Sequence, residues 1–216
     1  MAKVTPYVDL KEVNETINNL AKKLENPTPV FEKTLKDMYS RAPGKVADAV
    51  RNVYNIKKSD IMPQRKNSDL KPAGKIKAYG NELMSFELWY EGRMLTPLHF
   101  GMTPKAKPDK KKYKVKAKIK KEKATIFKPQ NESGGVFLAP AAKGSSRILA
   151  WERYSEKSYD ISPIKTMSIP QMVGPNPQTG EGGNSEVMEN IDKSLSELLA
   201  TRFHYQLKRY VDKLDK

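Results

Sequence analysis

Polar and apolar residues alternate without a break from Tyr113 to Lys120, so that every second residue is a lysine. A strand sends successive side chains to opposite faces, which predicts Tyr113, Val115, Ala117 and Ile119 on one side and the lysines on the other. The most apolar and aromatic run, residues 83–90, predicts a strand before it, and residues 74–80, 123–127, 135–140 and 147–154 predict further strands. The last two read as a hairpin across 141–146. Residues 96–104 hold too many prolines and a glycine for a central strand, yet are apolar enough to be pinned on the core, with His99 as a packing residue.

Helical spacing appears at both ends. Leu10, Val13, Ile17, Leu20 and Leu24 recur every three or four residues behind Asp9, an N-cap type. Residues 30–39 and 43–54 predict two further helices, separated where Arg41, Ala42, Pro43 and Gly44 disfavour continuation. Residues 62–73 read as loop. Apolar residues 161–173 are broken by prolines, which predicts an extended arm or edge, and 174–184 hold four glycines and two prolines, a flexible linker. From Ser185 to Leu214 an apolar stripe predicts one helix about 45 Å long, acidic at its start and basic near its end as the helix dipole favours.

Together these pieces predict an α+β chain: a mostly antiparallel sheet of about four to six strands, covered by N-terminal helices and the long C-terminal helix. The organisation is a single domain with a helical region over 1–60, a β-rich core over 61–173, the linker over 174–184 and the helix over 185–216.

Charge sharpens this picture. The 216 residues carry a formal net charge of +15, and residues 105–123 hold eleven lysines against Asp109 and Glu122, a net +9. Lysine is a hydrated point charge rather than a base-reading fork, so the stretch suits phosphate contact without sequence specificity. Lysines on an edge strand also prevent edge-to-edge pairing, and charge alone leaves both readings open. Lys112, Lys114, Lys116, Lys118 and Lys120 are the candidate DNA-facing residues.

Catalysis finds no comparable pattern. There is no cysteine, the two histidines stand far apart, the acids are scattered, and the glycine pairs at 134–135 and 182–183 lack a phosphate loop's lysine and strand-to-helix setting. No enzyme, cofactor or metal is expected. The N-terminus lacks a signal-peptide core and no window is apolar enough to span a bilayer, which predicts a cytosol-like compartment and no membrane partner.

The order of motifs carries a resemblance. A basic helical segment over 45–51, the run from Glu87 through Gly92, Arg93, Pro97, Leu98 and Phe100, the lysine-alternating strand, the pair 136–139 and 147–149, and Pro170, Gln171 and Met172 ahead of a C-terminal helix resemble the tailed-phage minor tail protein Z family over residues 42–213. This chain differs by one inserted residue between Arg93 and Pro97 and by a longer helical N-terminus. The resemblance implies a non-enzymatic tail completion protein at the head–tail junction, in the virion tail or neck and in the host cytoplasm during assembly. It implies a homo-oligomeric ring, with a hexamer as one stoichiometry, and neighbours such as tail terminator, tail tube and connector proteins. Ile164, Ile169, Met172, Leu198, Phe203, Leu207 and Tyr210 are the candidate subunit-interface residues. A tail terminator, another neck ring protein, and a basic nucleic-acid-binding protein without sequence preference are the alternatives.

Overall fold

The computed structural model describes residues 3–4, 28–62, 75–77, 87–91, 94–109, 112–128, 135–155, 157, 160–174 and 183–214. The helix expected over 9–25, the loop over 63–73 and most of the linker over 174–184 lie outside them. The fold is α+β, as the patterning predicts. In chain order the described elements are β1 (Lys3–Val4), α1 (Thr28–Val53), α2 (Lys58–Ile61), β2 (Lys75–Lys77), β3 (Glu87–Glu91), a 3-10 turn (Pro97–Phe100), β4 (Lys116–Ala117), β5 (Thr125–Ile126), β6 (Val136–Pro140), β7 (Ile148–Arg153), β8 (Ile161–Pro163), α3 (Ile169–Val173) and α4 (Ser185–Leu214).

Helices α1 and α4 form the frame. They run antiparallel: Phe31 stacks on Phe203 with ring centroids 5.8 Å apart, and the Gln206 amide donates to Asp37 at 2.8 Å. At the far end of the pair, Tyr54 is hydrogen-bonded by the Asn184 side chain. Asn184 also caps α4, accepting from the Val187 N–H at 3.4 Å.

One helix stands where two are expected. Pro43 lies inside α1, and the interruption read from residues 41–44 does not occur. An interior proline costs about 3 kcal/mol, because it removes one hydrogen bond and crowds the preceding turn. Met38, Ala42, Val46, Ala47 and Val50 are all fully buried on the same helix, and burying large apolar side chains at about 1.5–3 kcal/mol each offsets that cost.

The strands are antiparallel throughout, but they divide into small sheets ordered β1-β3-β2, β4-β5 and β6-β7-β8. The hairpin forms as expected, with Val136 opposite Glu152 and Pro140 opposite Ile148. Two large clusters make the core. One joins α1, α3 and α4 with Tyr54, Tyr90, Phe100 and Ala117; the other lies under the hairpin and holds Met102, Val115, Leu138, Ala150 and Ile164.

The proline-broken segment is the expected edge in its first part and a helix in its last. Residues 161–163 form the edge strand β8, the Thr166 N–H donates to Leu95 O at 2.7 Å, and 169–173 turn into α3. Ser168 and Gln171 supply a capping box and Pro170 sits in the first turn, where its missing N–H costs nothing. Proline here starts a helix instead of extending an arm.

Tyr90 is fully buried in the first cluster, and its hydroxyl has no hydrogen-bond partner among the described residues. Burial pushes its pKa well above the ordinary phenol value near 10. The stability this group contributes is therefore complete below about pH 10 and falls as pH rises beyond it, because only the unfolded phenol ionises freely. Tyr90→Phe should leave stability at neutral pH unchanged or raise it by up to about 1 kcal/mol, and should soften the alkaline loss. Urea titrations at several pH values read both effects. A loss of more than about 1 kcal/mol would mean that the hydroxyl is satisfied.

Candidate nucleic-acid interface

The lysine strand is held from both sides. Lys116 exchanges two backbone hydrogen bonds with Thr103, at 2.8 and 2.9 Å, and the Lys118 N–H donates to Phe100 O at 3.1 Å. On its other edge the Phe127 N–H donates to Val115 O at 3.0 Å, and Asn55 N–H and Lys121 N–H bond Ile119 O and Val53 O at 2.9 and 3.0 Å. From 115 to 121 the strand is thus flanked by residues 100–103 on one side and by 125–127 and then the end of α1 on the other.

Its two faces separate as the alternation predicts. Val115 is 1% exposed and Ala117 2%, with Tyr113 and Ile119 half-buried, and the Tyr113 hydroxyl accepts from the Leu138 N–H at 3.0 Å. Lys112, Lys114, Lys116, Lys118 and Lys120 are all exposed. Lys105, Lys107, Lys121, Lys123 and Lys128 add to the same exposed charge. Ion pairs among the described residues join Arg51 and Lys58 to Asp48 and involve none of these lysines.

The face also has neighbours. Lys116 lies opposite Ile126, which is 46% exposed. No arginine and no aromatic residue shares the outward positions of 112–120.

The expected interface residues fare differently. Ile164, Ile169, Met172, Leu198 and Phe203 are 8% exposed or less, buried in the chain's own core. They belong to its core clusters. Leu207 and Tyr210 are half-buried against Val30 and Phe203. What α4 does expose is Tyr205, 49% accessible between the guanidinium groups of Arg202 and Arg209 at 5.7 and 5.6 Å, and Val211.

One polar chain has no counterpart in the sequence reading. His99 does more than pack: its Nδ1 lies 3.1 Å from Asp60 Oδ2 and its Nε2 3.3 Å from the Arg147 guanidinium. Arginine only donates, so Nε2 accepts and Nδ1–H donates to Asp60. The three residues are far apart in the chain and meet only on folding, tying α2, the 3-10 turn and the start of β7 together.

Among the described residues no group of three potential metal ligands comes together, and no helix is long and apolar enough to cross a membrane. Comparison of the chain with protein-family models, curated proteins and solved structures finds no match.

Replacing Lys112, Lys114, Lys116, Lys118 and Lys120 together by Gln should leave the fold intact and raise the melting temperature slightly at low salt, a gain that salt removes by screening. Val115→Asp, on the opposite face, should unfold the chain by burying an unpaired charge. Thermal melts of both variants at two ionic strengths check this; a quintuple variant that fails to fold would place the lysines in the core packing.

Proposed function

We propose that the protein is a structural, non-enzymatic component of a tailed phage or prophage, a tail completion protein at the head–tail junction that assembles as a ring and joins tail to head around the DNA channel. The observation that carries this reading is where the motif residues of the resemblance lie. Pro97 and Phe100 are buried in the 3-10 turn, which Gly101 closes with φ of 68°. Leu138 and Leu149 are buried in the hairpin. Pro170 and Met172 are buried in α3, whose N-cap the Gln171 side chain locks by accepting from the Ser168 N–H at 2.8 Å. Gly92 and Arg93 lie outside the described residues; the described part of the motif set maps onto packing and capping positions, which supports a protein maintained for its shape and surfaces.

Its partners in this reading are further copies of itself and neighbouring neck and tail proteins. Because the candidate interface residues are mostly core, contact falls to exposed groups such as Tyr205 and Val211 on the last turns of α4. A second reading, a monomeric nucleic-acid-binding protein without sequence preference, is favoured by the lysine face having no acidic partner among the described residues.

Deleting the gene from its phage should leave filled heads and free tails that supplied protein joins, and a tagged copy should map to the neck by electron microscopy. Absence of the protein from purified particles would sink the proposal. Removing α4 is uninformative, since Ile191, Leu195 and Leu199 are core. Tyr205→Glu combined with Val211→Glu should instead give a folded chain that no longer completes particles; normal particle yield from this variant would move the contact elsewhere.

A further inference from the structure

We infer that the outward face of residues 112–120 binds the phosphate backbone of duplex nucleic acid, independently of base sequence. The inference deepens the neck reading by naming the partner of this face, and rests on that reading only for which DNA the protein meets.

The ordinary explanation for lysines on a strand is protection of an exposed edge. It does not apply to Lys116, Lys118 and Lys120, because from 115 to 121 the backbone is hydrogen-bonded on one side to residues 100–103 and on the other to 125–127 and 53–55. An interior strand has no free edge to protect. A surface built for solubility alone intersperses both signs, whereas Lys112, Lys114, Lys116, Lys118 and Lys120 form an unbroken row with no acid paired to it among the described residues. Such a row repels itself along the segment, and an external polyanion relieves the repulsion.

Spacing and chemistry narrow the polyanion. Same-face residues on a strand recur about every 6.6–6.8 Å, comparable to the separation of successive phosphates along one strand of a nucleic acid. Val115 and Ala117 are locked in the core, so the backbone that carries the row is held in place before binding and only the lysine side chains are ordered by it. Lysine without arginine contacts phosphate but does not read bases. The absence of an aromatic residue among the outward positions removes the stacking platform that single strands need, which favours the duplex. Apart from Ile126 the face offers no apolar anchor for a membrane surface.

The test uses the purified full chain with short DNA duplexes of two unrelated sequences, a single strand of equal length, and polyglutamate. Binding should be equal for the two duplexes, no weaker for duplex than for single strand, and about 10²–10³-fold weaker at 200 mM than at 50 mM salt for about five phosphate contacts. Replacing the five lysines by Gln should remove most of that salt slope, about one unit per lysine. Replacing Lys33, Lys36, Lys45, Lys193 and Lys208, exposed lysines elsewhere with the same total charge, should keep it. Equal loss in the two variants would reduce the effect to net charge and overturn the site. Polyglutamate binding as tight as duplex would replace DNA with an acidic protein, and no salt-dependent binding by the wild type would end the inference. Duplex binding by a protein absent from particles would leave the inference standing and the neck reading fallen. A protein present in particles that binds no DNA would do the reverse.

Discussion

The inner face of the lysine strand is the constraint on which the rest of the molecule depends. Val115 and Ala117 are two residues apart, yet Val115 belongs to the core under the hairpin and Ala117 to the core between the helices. Phe127, on the neighbouring strand, packs against both. The same short backbone segment bonds the end of α1, the 3-10 turn region and β5. Each such bond contributes only about 1 kcal/mol net, but together they fix the relative position of segments that are distant in the chain. A polar residue at Val115 would open the core under the hairpin, and one at Ala117 the core between the helices.

The helix pair supplies the rigidity that the small sheets lack. Two- and three-stranded sheets are marginal by themselves and need packing against another layer. Here α3 is that link: its capping box starts a helix at Ser168, and Ile169, Met172 and Val173 then enter the helical core while Ile164, just upstream, stays under the hairpin. The chain from β8 to α3 therefore crosses between the two cores in parallel with the lysine strand, and Thr166 ties that crossing to Leu95 through both its N–H and its hydroxyl. His99, between Asp60 and Arg147, adds a polar connection across the same junction.

Periodicity made the lysine strand, the hairpin and α4 legible, because in each the burial pattern repeats over enough residues to be read locally. The errors came where a local signal competes with distant packing. Pro43 reads as a break, and only the fully buried stripe of Met38, Ala42, Val46 and Val50 against α4 explains why the helix continues. Pro170 reads the same way, although Ser168 and Gln171 at capping-box spacing carried the contrary signal. Apolar residues such as Ile169, Met172 and Phe203 look like surplus surface when the arm and helix are read separately, and they become core once both fold onto α1. Nothing local marks Asp60, His99 and Arg147 as neighbours, and the division of strands into separate sheets depends on registers that sequence pattern does not set.

A strand is well suited to carry both duties of residues 112–120 because its period is two. In a helix of 3.6 residues per turn, five cations on one face would span about four turns, and the residues between them would point in several directions. The strand sets five lysines in a line with only four residues between them, all directed to the core side. Mutational effects should divide just as sharply: changes at odd positions from 113 to 119 act through stability, and changes at even positions from 112 to 120 act through charge. That division follows from backbone geometry, whatever polyanion the face meets.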